Sequence, residues 1–283
     1  MFCLTKFLSS IFFIFNLSFA TSEIIKFADE LYNNSLYEQA IHEYKRALFF
    51  EDNIENKKSI KLKLARCYRE AELFELSEKS IKEYIELCGN EEEKYIGFLE
   101  LGITYIYAKN INMAVYQFLK VENFSENEEI KKKALFYLTL GYAMNYQWSE
   151  AEESFDRLSV FLPDNNSLKS KIKELFFKAK RFKYKSPELA VWLSILPGLG
   201  QLYAGDVGSG INAFALNGVI FYFTVDMLLK ANYLDAIFIA LSFVERYYSG
   251  NFYHAEEKAR QYNESYNKKF LSEFLNHYES LSW

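Results

Sequence analysis

The sequence predicts an all-α fold, in which stacked helical hairpins form a solenoid and an apolar helical module follows. Three observations carry this expectation. A 37-residue period runs through the first half of the chain. Only 3 Pro and 11 Gly among 283 residues disfavour a loop-rich β architecture. Charge and hydropathy also divide the chain sharply. Residues 21–166 hold 18 basic against 27 acidic side chains, 167–185 hold eight basic and one acidic, and 186–254 hold only seven charges in 69 residues. The net charge of −5 offers nucleic acid no general attraction.

Residues 1–20, MFCLTKFLSSIFFIFNLSFA, place Lys6 before an apolar run, with Ser18 and Ala20 at −3 and −1 of a cut after Ala20. That is the pattern of a secretory signal peptide, with an uncleaved anchor as the alternative. Cys3 precedes the apolar run and does not suit a lipoprotein. Export would permit a disulfide between Cys67 and Cys88; two small buried thiols are the other reading.

The repeat occupies residues 21–166, in copies at about 21–54, 58–91, 95–128 and 132–165. The small residues Ala40, Ser77, Ala114 and Ala151 lie 37 apart. Four later come Tyr44, Ile81, Phe118 and Phe155, and three beyond those Ala47, Tyr84, Val121 and Leu158. Upstream, Leu31, Tyr68, Tyr105 and Tyr142 form one column. Ala28, Ala65, Gly102 and Thr139 form another, and Phe27, Leu64, Leu101 and Leu138 precede them. The offsets of three and four within each copy describe two amphipathic helices, and a lone hairpin cannot bury both faces.

These columns resemble the tetratricopeptide repeat (TPR) family over roughly residues 22–165, with links about three residues longer than the usual period of about 34. The resemblance implies a right-handed solenoid that binds a peptide or protein in a groove lined by first helices. On the family's register that groove includes Asp29, Tyr32, Leu62, Arg66, Arg69, Leu99, Ile103, Ile106, Phe136 and Leu140. This reads as a cationic centre with an apolar end, unless the chain's own next helix covers that end. Leu168, Ile172, Leu175, Phe176 and Ala179 give that helix an apolar stripe, and solenoids need a cap.

Residues 167–185 form a basic capping or juxtamembrane helix whose cations, Lys169 to Lys185, suit either solvent or anionic headgroups. Residues 186–254 read as an apolar helical membrane module, beginning at a Ser186-Pro187 helix start. Its first run, Leu189 to Ala204, breaks at Pro197-Gly198. The second, Ile211 to Leu229, has comfortable spanning length, and the third, Leu234 to Val244, is short. Within it Pro197, Gly198, Gly200, Gln201 and Tyr203 resemble a small bacterial membrane module marked by Pro-Gly-x-Gly-Gln-x-Tyr, over about residues 186–267. Asn212, Asn217 and Asp226 lie in the second run and read as interhelical glue rather than a transport path. Residues 255–283 form a polar helical tail.

No catalytic, cofactor or metal motif occurs. His42, His254 and His277 are scattered, and Glu91-Glu92-Glu93 reads as solvated surface or first-turn charge. The expectation is therefore a non-enzymatic, membrane-anchored scaffold of a cell envelope, with the repeats exported to the periplasmic side. Its partners would be protein in the groove and lipid at the module, with no nucleic acid. The alternative is a membrane-integrated accessory factor for insertion, assembly or transport. A cleaved signal would place the basic segment outside, contrary to the usual cytoplasmic excess of Lys and Arg.

Overall fold

Helices start every 37 residues because the packing positions recur at that interval. The computed structural model describes residues 21–163, 166–243 and 249–281, so the expected signal peptide lies outside the described residues. Among the described residues the chain is all-α. It divides into two compact units, one ending at Asn166 and the other beginning at Ser167.

The first unit holds α1 (residues 21–33), α2 (Tyr37–Phe50), α3 (Ile54–Glu70), α4 (Phe74–Leu87), α5 (Glu91–Tyr107), α6 (Ile111–Phe124), α7 (Glu128–Met144) and α8 (Trp148–Ser159). Each helix packs on the next, and α3, α5 and α7 also touch in sequence. The expected columns form the core. Ala40, Ser77, Ala114 and Ala151 are fully buried, as are Ile81, Phe118 and Phe155. A small residue there lets paired helices approach, and the large residue one turn later fills the space beside it. Ser77 keeps its hydroxyl satisfied by donating to the Ala65 carbonyl at 2.9 Å. Phe27 departs from its column, being 50% exposed where Leu64, Leu101 and Leu138 are buried. Leu64 packs against the preceding hairpin, and no hairpin precedes Phe27 among the described residues.

The caps repeat as well. Asn53, Asn90 and Asn127, 37 residues apart, cap α3, α5 and α7 by accepting backbone N–H groups at 2.8–3.2 Å. Within each hairpin the chain turns through a left-handed residue: Ser35, Glu72, Lys109 and Tyr146, with φ of 58–60°. In the third hairpin Asn110 N–H bonds the Tyr105 carbonyl at 2.8 Å and Lys109 N–H bonds Ile106 at 3.0 Å. The other three repeat this Schellman pattern.

The second unit holds α9 (Asn166–Arg181), α10 (Pro187–Leu193), α11 (Leu199–Ala204), α12 (Val207–Leu229), α13 (Tyr233–Phe243), α14 (Ser249–Tyr278) and a 3-10 turn, Glu279–Leu281. Ser186 caps α10, its hydroxyl accepting the Leu189 N–H at 3.0 Å, with Pro187 in the first turn as expected. The run Leu189 to Ala204 resolves into two helices too short to span a bilayer. Both pack on α14 through the small residues Ala190, Ala204, Ala255 and Ala259. The expected boundary between residues 254 and 255 falls inside α14, which runs through it unbroken. Of the α9 stripe Ile172, Leu175, Phe176 and Ala179 are buried and Leu168 is half-buried, and Phe176 lies against Phe274 of α14 with ring centroids 5.5 Å apart.

α12 has 23 residues, about 34 Å at helical rise, and its only buried residue is Gly210. Phe214, Val219, Phe221, Tyr222 and Leu229 stand exposed along it. α13 returns beside it through a left-handed turn at Ala231, with Ala236 buried at the crossing. Among the described residues α12 is the one helix long and apolar enough to cross a membrane.

Candidate functional site

The expected groove residues do come from the first helices of the four hairpins, α1, α3, α5 and α7. Their surroundings differ from a bare cationic centre. Glu100 on α5 lies between the two arginines of α3: Arg66 Nε donates to it at 2.9 Å and Arg69 Nη1 at 2.8 Å. Burial pushes the Glu100 carboxyl up, but Arg66 and then Arg69 outweigh it and hold it below its ordinary 4.5. Arg69 is also buried over the Tyr107 ring, 5.4 Å from its centroid. This triad keeps one net positive charge, and its partner was illegible because Glu100 sits 34 residues from Arg66.

Asp29 accepts two bonds from Lys63 Nζ, at 2.6 and 2.7 Å, and one from the Tyr44 hydroxyl. Leu99 is a correction to the expected groove. At 7% exposed it packs in the core with Ala65, Phe118 and Leu138. Tyr32, Leu62, Ile103, Ile106, Phe136 and Leu140 are half-buried, leaving part of each apolar surface available. Tyr32 packs edge-on to Tyr37 at 5.6 Å, and Phe136 edge-on to Tyr137 at 5.4 Å.

The acidic run in the first turn of α5 fastens its neighbours as well as carrying charge there. Glu93 accepts Lys58 Nζ of α3 at 2.7 Å. Glu92 accepts the Ser125 hydroxyl at 2.8 Å and the Glu126 N–H at 2.7 Å, at the threshold of the following hairpin. Cys67 and Cys88 are both free and buried. Burial pushes the Cys67 thiol up to about 12.

The Pro-Gly-x-Gly-Gln-x-Tyr residues form a tight knot in the second unit. Gly198 has φ of 94°, so an L side chain there would be strained, and a Cβ would also overlap the Gly210 carbonyl oxygen of α12. At Gly200 a Cβ would overlap Ser194 Oγ and the Ala190 carbonyl, and would lie 2.8 Å from Ala255 Cβ. Two glycines thus let α11 touch α10, α12 and α14 at once. Gln201 is 2% exposed and donates Nε2 to both the carbonyl and Oδ1 of Asn251, each at 3.3 Å. The Tyr203 hydroxyl accepts the Ser186 N–H at 3.0 Å.

Lys185 belongs to this knot, although the sequence placed it in a basic face. Its Nζ donates to the Tyr203 carbonyl at 2.7 Å and sits 3.8 Å from the Tyr262 ring centroid. Its backbone exchanges two 2.8 Å bonds with the Asn263 amide. Asn263 lies 78 residues away on α14 and carries no local sequence signal for this role. Asn217 donates to the Ala213 carbonyl at 2.7 Å, and Asp226 accepts Lys230 Nζ at 2.8 Å, both within or at the end of α12. Asn212 lines a cleft together with Gln201, Asn251 and Lys258. Among the described residues no cluster of His, Cys, Asp and Glu suits a metal ion.

No protein-family model matches the chain, and no curated protein matches it. Among solved structures the chain is similar to a Podosopora anserina putative kinesin light chain with nearly identical TPR-like repeats. The two are 13% identical with a TM-score of 0.42, over 69% of this chain and 91% of that one.

Proposed function

We propose that this chain is a membrane-anchored scaffold: α12 and α13 enter a bilayer, and the hairpin repeats hold a protein or peptide partner. The observation that carries this is the solvent-exposed apolar length of α12, in which Gly210 alone is buried. A soluble protein rarely leaves so large an apolar face uncovered. The polar ends fit the reading. Asp226, Lys230, Asn232 and Asp235 cluster where α12 turns into α13, and Asp206 stands at its start. On the repeat side, the half-buried Tyr32, Leu62, Ile103, Ile106, Phe136 and Leu140, with Arg66 among them, offer an apolar surface with a cationic point. An extended segment with an acidic anchor is the complementary partner. The signal-like start of the sequence favours export of the repeats to an envelope compartment.

Membranes from cells making the full chain should retain it through high salt and alkaline carbonate. Val219→Arg, an exposed position near the middle of α12, should shift it to the soluble fraction. Wild-type protein released by alkali alone would refute the anchor. Photo-crosslinkers at Leu62 and Leu140 should trap a partner that one at Tyr116, exposed on α6, does not; equal trapping at all three would refute the groove. The accessory-factor reading rests on Asn212, Asn217 and Asp226; the last two are engaged within α12 or with the residue after it, while Asn212 lines a cleft.

A further inference from the structure

The second unit holds a cleft of about 260 Å³ between α11, α12 and α14. Its polar lining comes from Gln201, Asp206, Ser209, Asn212, Asn251, His254 and Lys258, and its apolar wall is the first turns of α12 at Ala213 and Leu216. Gln201 is almost wholly buried, yet its Oε1 finds no partner among the described residues, and neither does Asn251 Nδ2. A buried amide oxygen and a buried amide N–H left unpaired each lose more than a hydrogen bond contributes, so a site that keeps both is built to receive a group. At the rim Asp206 and Lys258 form an ion pair at 3.2 Å.

The unpaired groups the lining presents are the acceptor Gln201 Oε1 and the donor Asn251 Nδ2, while Asp206, which also caps α12 by accepting from Ser209, and Lys258 add one charge of each sign. Its formal charge is zero. A pure anion would meet Asp206, and a pure cation would meet Lys258. The complementary group is a zwitterion with N–H donors beside anionic oxygens. The apolar wall continues directly into the exposed face of α12 at Phe214 and Leu216, so an occupant with an acyl tail gains contact that a free headgroup lacks.

We propose that this cleft binds the headgroup of a phospholipid bearing a primary ammonium and a phosphate, of the phosphatidylethanolamine type. The ammonium donates to Gln201 Oε1 and Asp206, the phosphate accepts from Asn251 Nδ2 and Lys258, and the acyl chains lie along α12. The inference rests on the membrane reading above and goes further, naming a lipid and the residues that select it.

The test is native mass spectrometry of the full chain in detergent with equal amounts of ethanolamine, choline and glycerol phospholipids of identical acyl chains. The ethanolamine lipid should be retained about tenfold over the choline lipid, whose quaternary ammonium has no N–H to donate. Gln201→Leu should remove that preference, whereas Lys258→Met should weaken retention of all three lipids through the phosphate they share, neither changing the helical circular dichroism. Lys258 is partly exposed, so its variant remains informative if the buried Gln201 change disturbs folding. Glycerophosphoethanolamine, which lacks acyl chains, should compete poorly; efficient competition would overturn the lipid assignment in favour of a soluble zwitterion. Equal retention of the three headgroups, a preference surviving Gln201→Leu, or retention unchanged by Lys258→Met would overturn the proposal. A chain that needs no detergent to stay soluble would instead overturn the anchor itself.

Discussion

Glu100 is the position where one substitution tests the most. Replacing it by Ala removes the carboxylate that both Arg66 and Arg69 address, at 2.9 and 2.8 Å. The two arginines do not suffer equally. The Arg66 side chain is 44% exposed and recovers water, whereas that of Arg69 is 8% exposed and is left with Glu70 at 3.7 Å and the Tyr107 ring. Breaking a buried pair on one side costs about 3–5 kcal/mol, so the partial exposure here places Glu100→Ala at about 3 kcal/mol. Replacing Glu100 and Arg69 together by Met should recover most of that loss, because no buried charge then remains. The assay is urea unfolding of the full chain in detergent, read by amide hydrogen exchange in α3 and α5. The pH dependence gives a second handle. The folded Glu100 pKa lies below its ordinary 4.5, so its contribution is complete above about that pH and fades as pH falls through the folded value. The gap between wild type and Glu100→Gln should therefore close under acid. A cost under about 1 kcal/mol for Glu100→Ala, or a gap that stays constant from neutral to strongly acid pH, would refute the argument.

Other outcomes follow from the backbone and the thiols. Gly200→Ala should destabilise the second unit by about 1–3 kcal/mol in thermal unfolding, while Gly208→Ala, with nothing within 4 Å of its added carbon, should not. Lys109→Gly should stabilise the chain by about 0.5–1 kcal/mol, because relief of a left-handed L residue exceeds the extra freedom glycine brings to the unfolded chain. Cys67 should resist maleimide at pH 8 until the protein is unfolded, since it is fully buried and its thiol is pushed up to about 12.

The repeat was legible because burial depends on side-chain size, and size recurs at Ala40, Ser77, Ala114 and Ala151. The hairpin turns were not. Ser35, Glu72, Lys109 and Tyr146 share one backbone conformation without sharing any chemistry, and none is the glycine that usually marks it. The Asn53, Asn90 and Asn127 caps were present as a third periodic signal, readable from spacing alone once helix starts are sought. The surroundings of the expected groove residues were half legible. Register put them on α1, α3, α5 and α7, but Leu99 turned inward and Glu100 came from the next hairpin to meet the arginines. In the second unit Pro197 and Gly198 announced a break, while the role of Lys185 depended on Asn263 and Tyr262, too distant in sequence for any local pattern to connect.

The fixed step between hairpins has a consequence for how such a chain can change length. Cuts at Leu73 and Asn110 fall at equivalent points of two successive turns, so the stretch from Phe74 to Asn110 is a self-contained brick with matching ends. Duplicating it adds one storey whose small-to-large contacts, asparagine cap and left-handed corner all meet a familiar neighbour. The reach of the array can thus be tuned by whole units, with no new interface to invent.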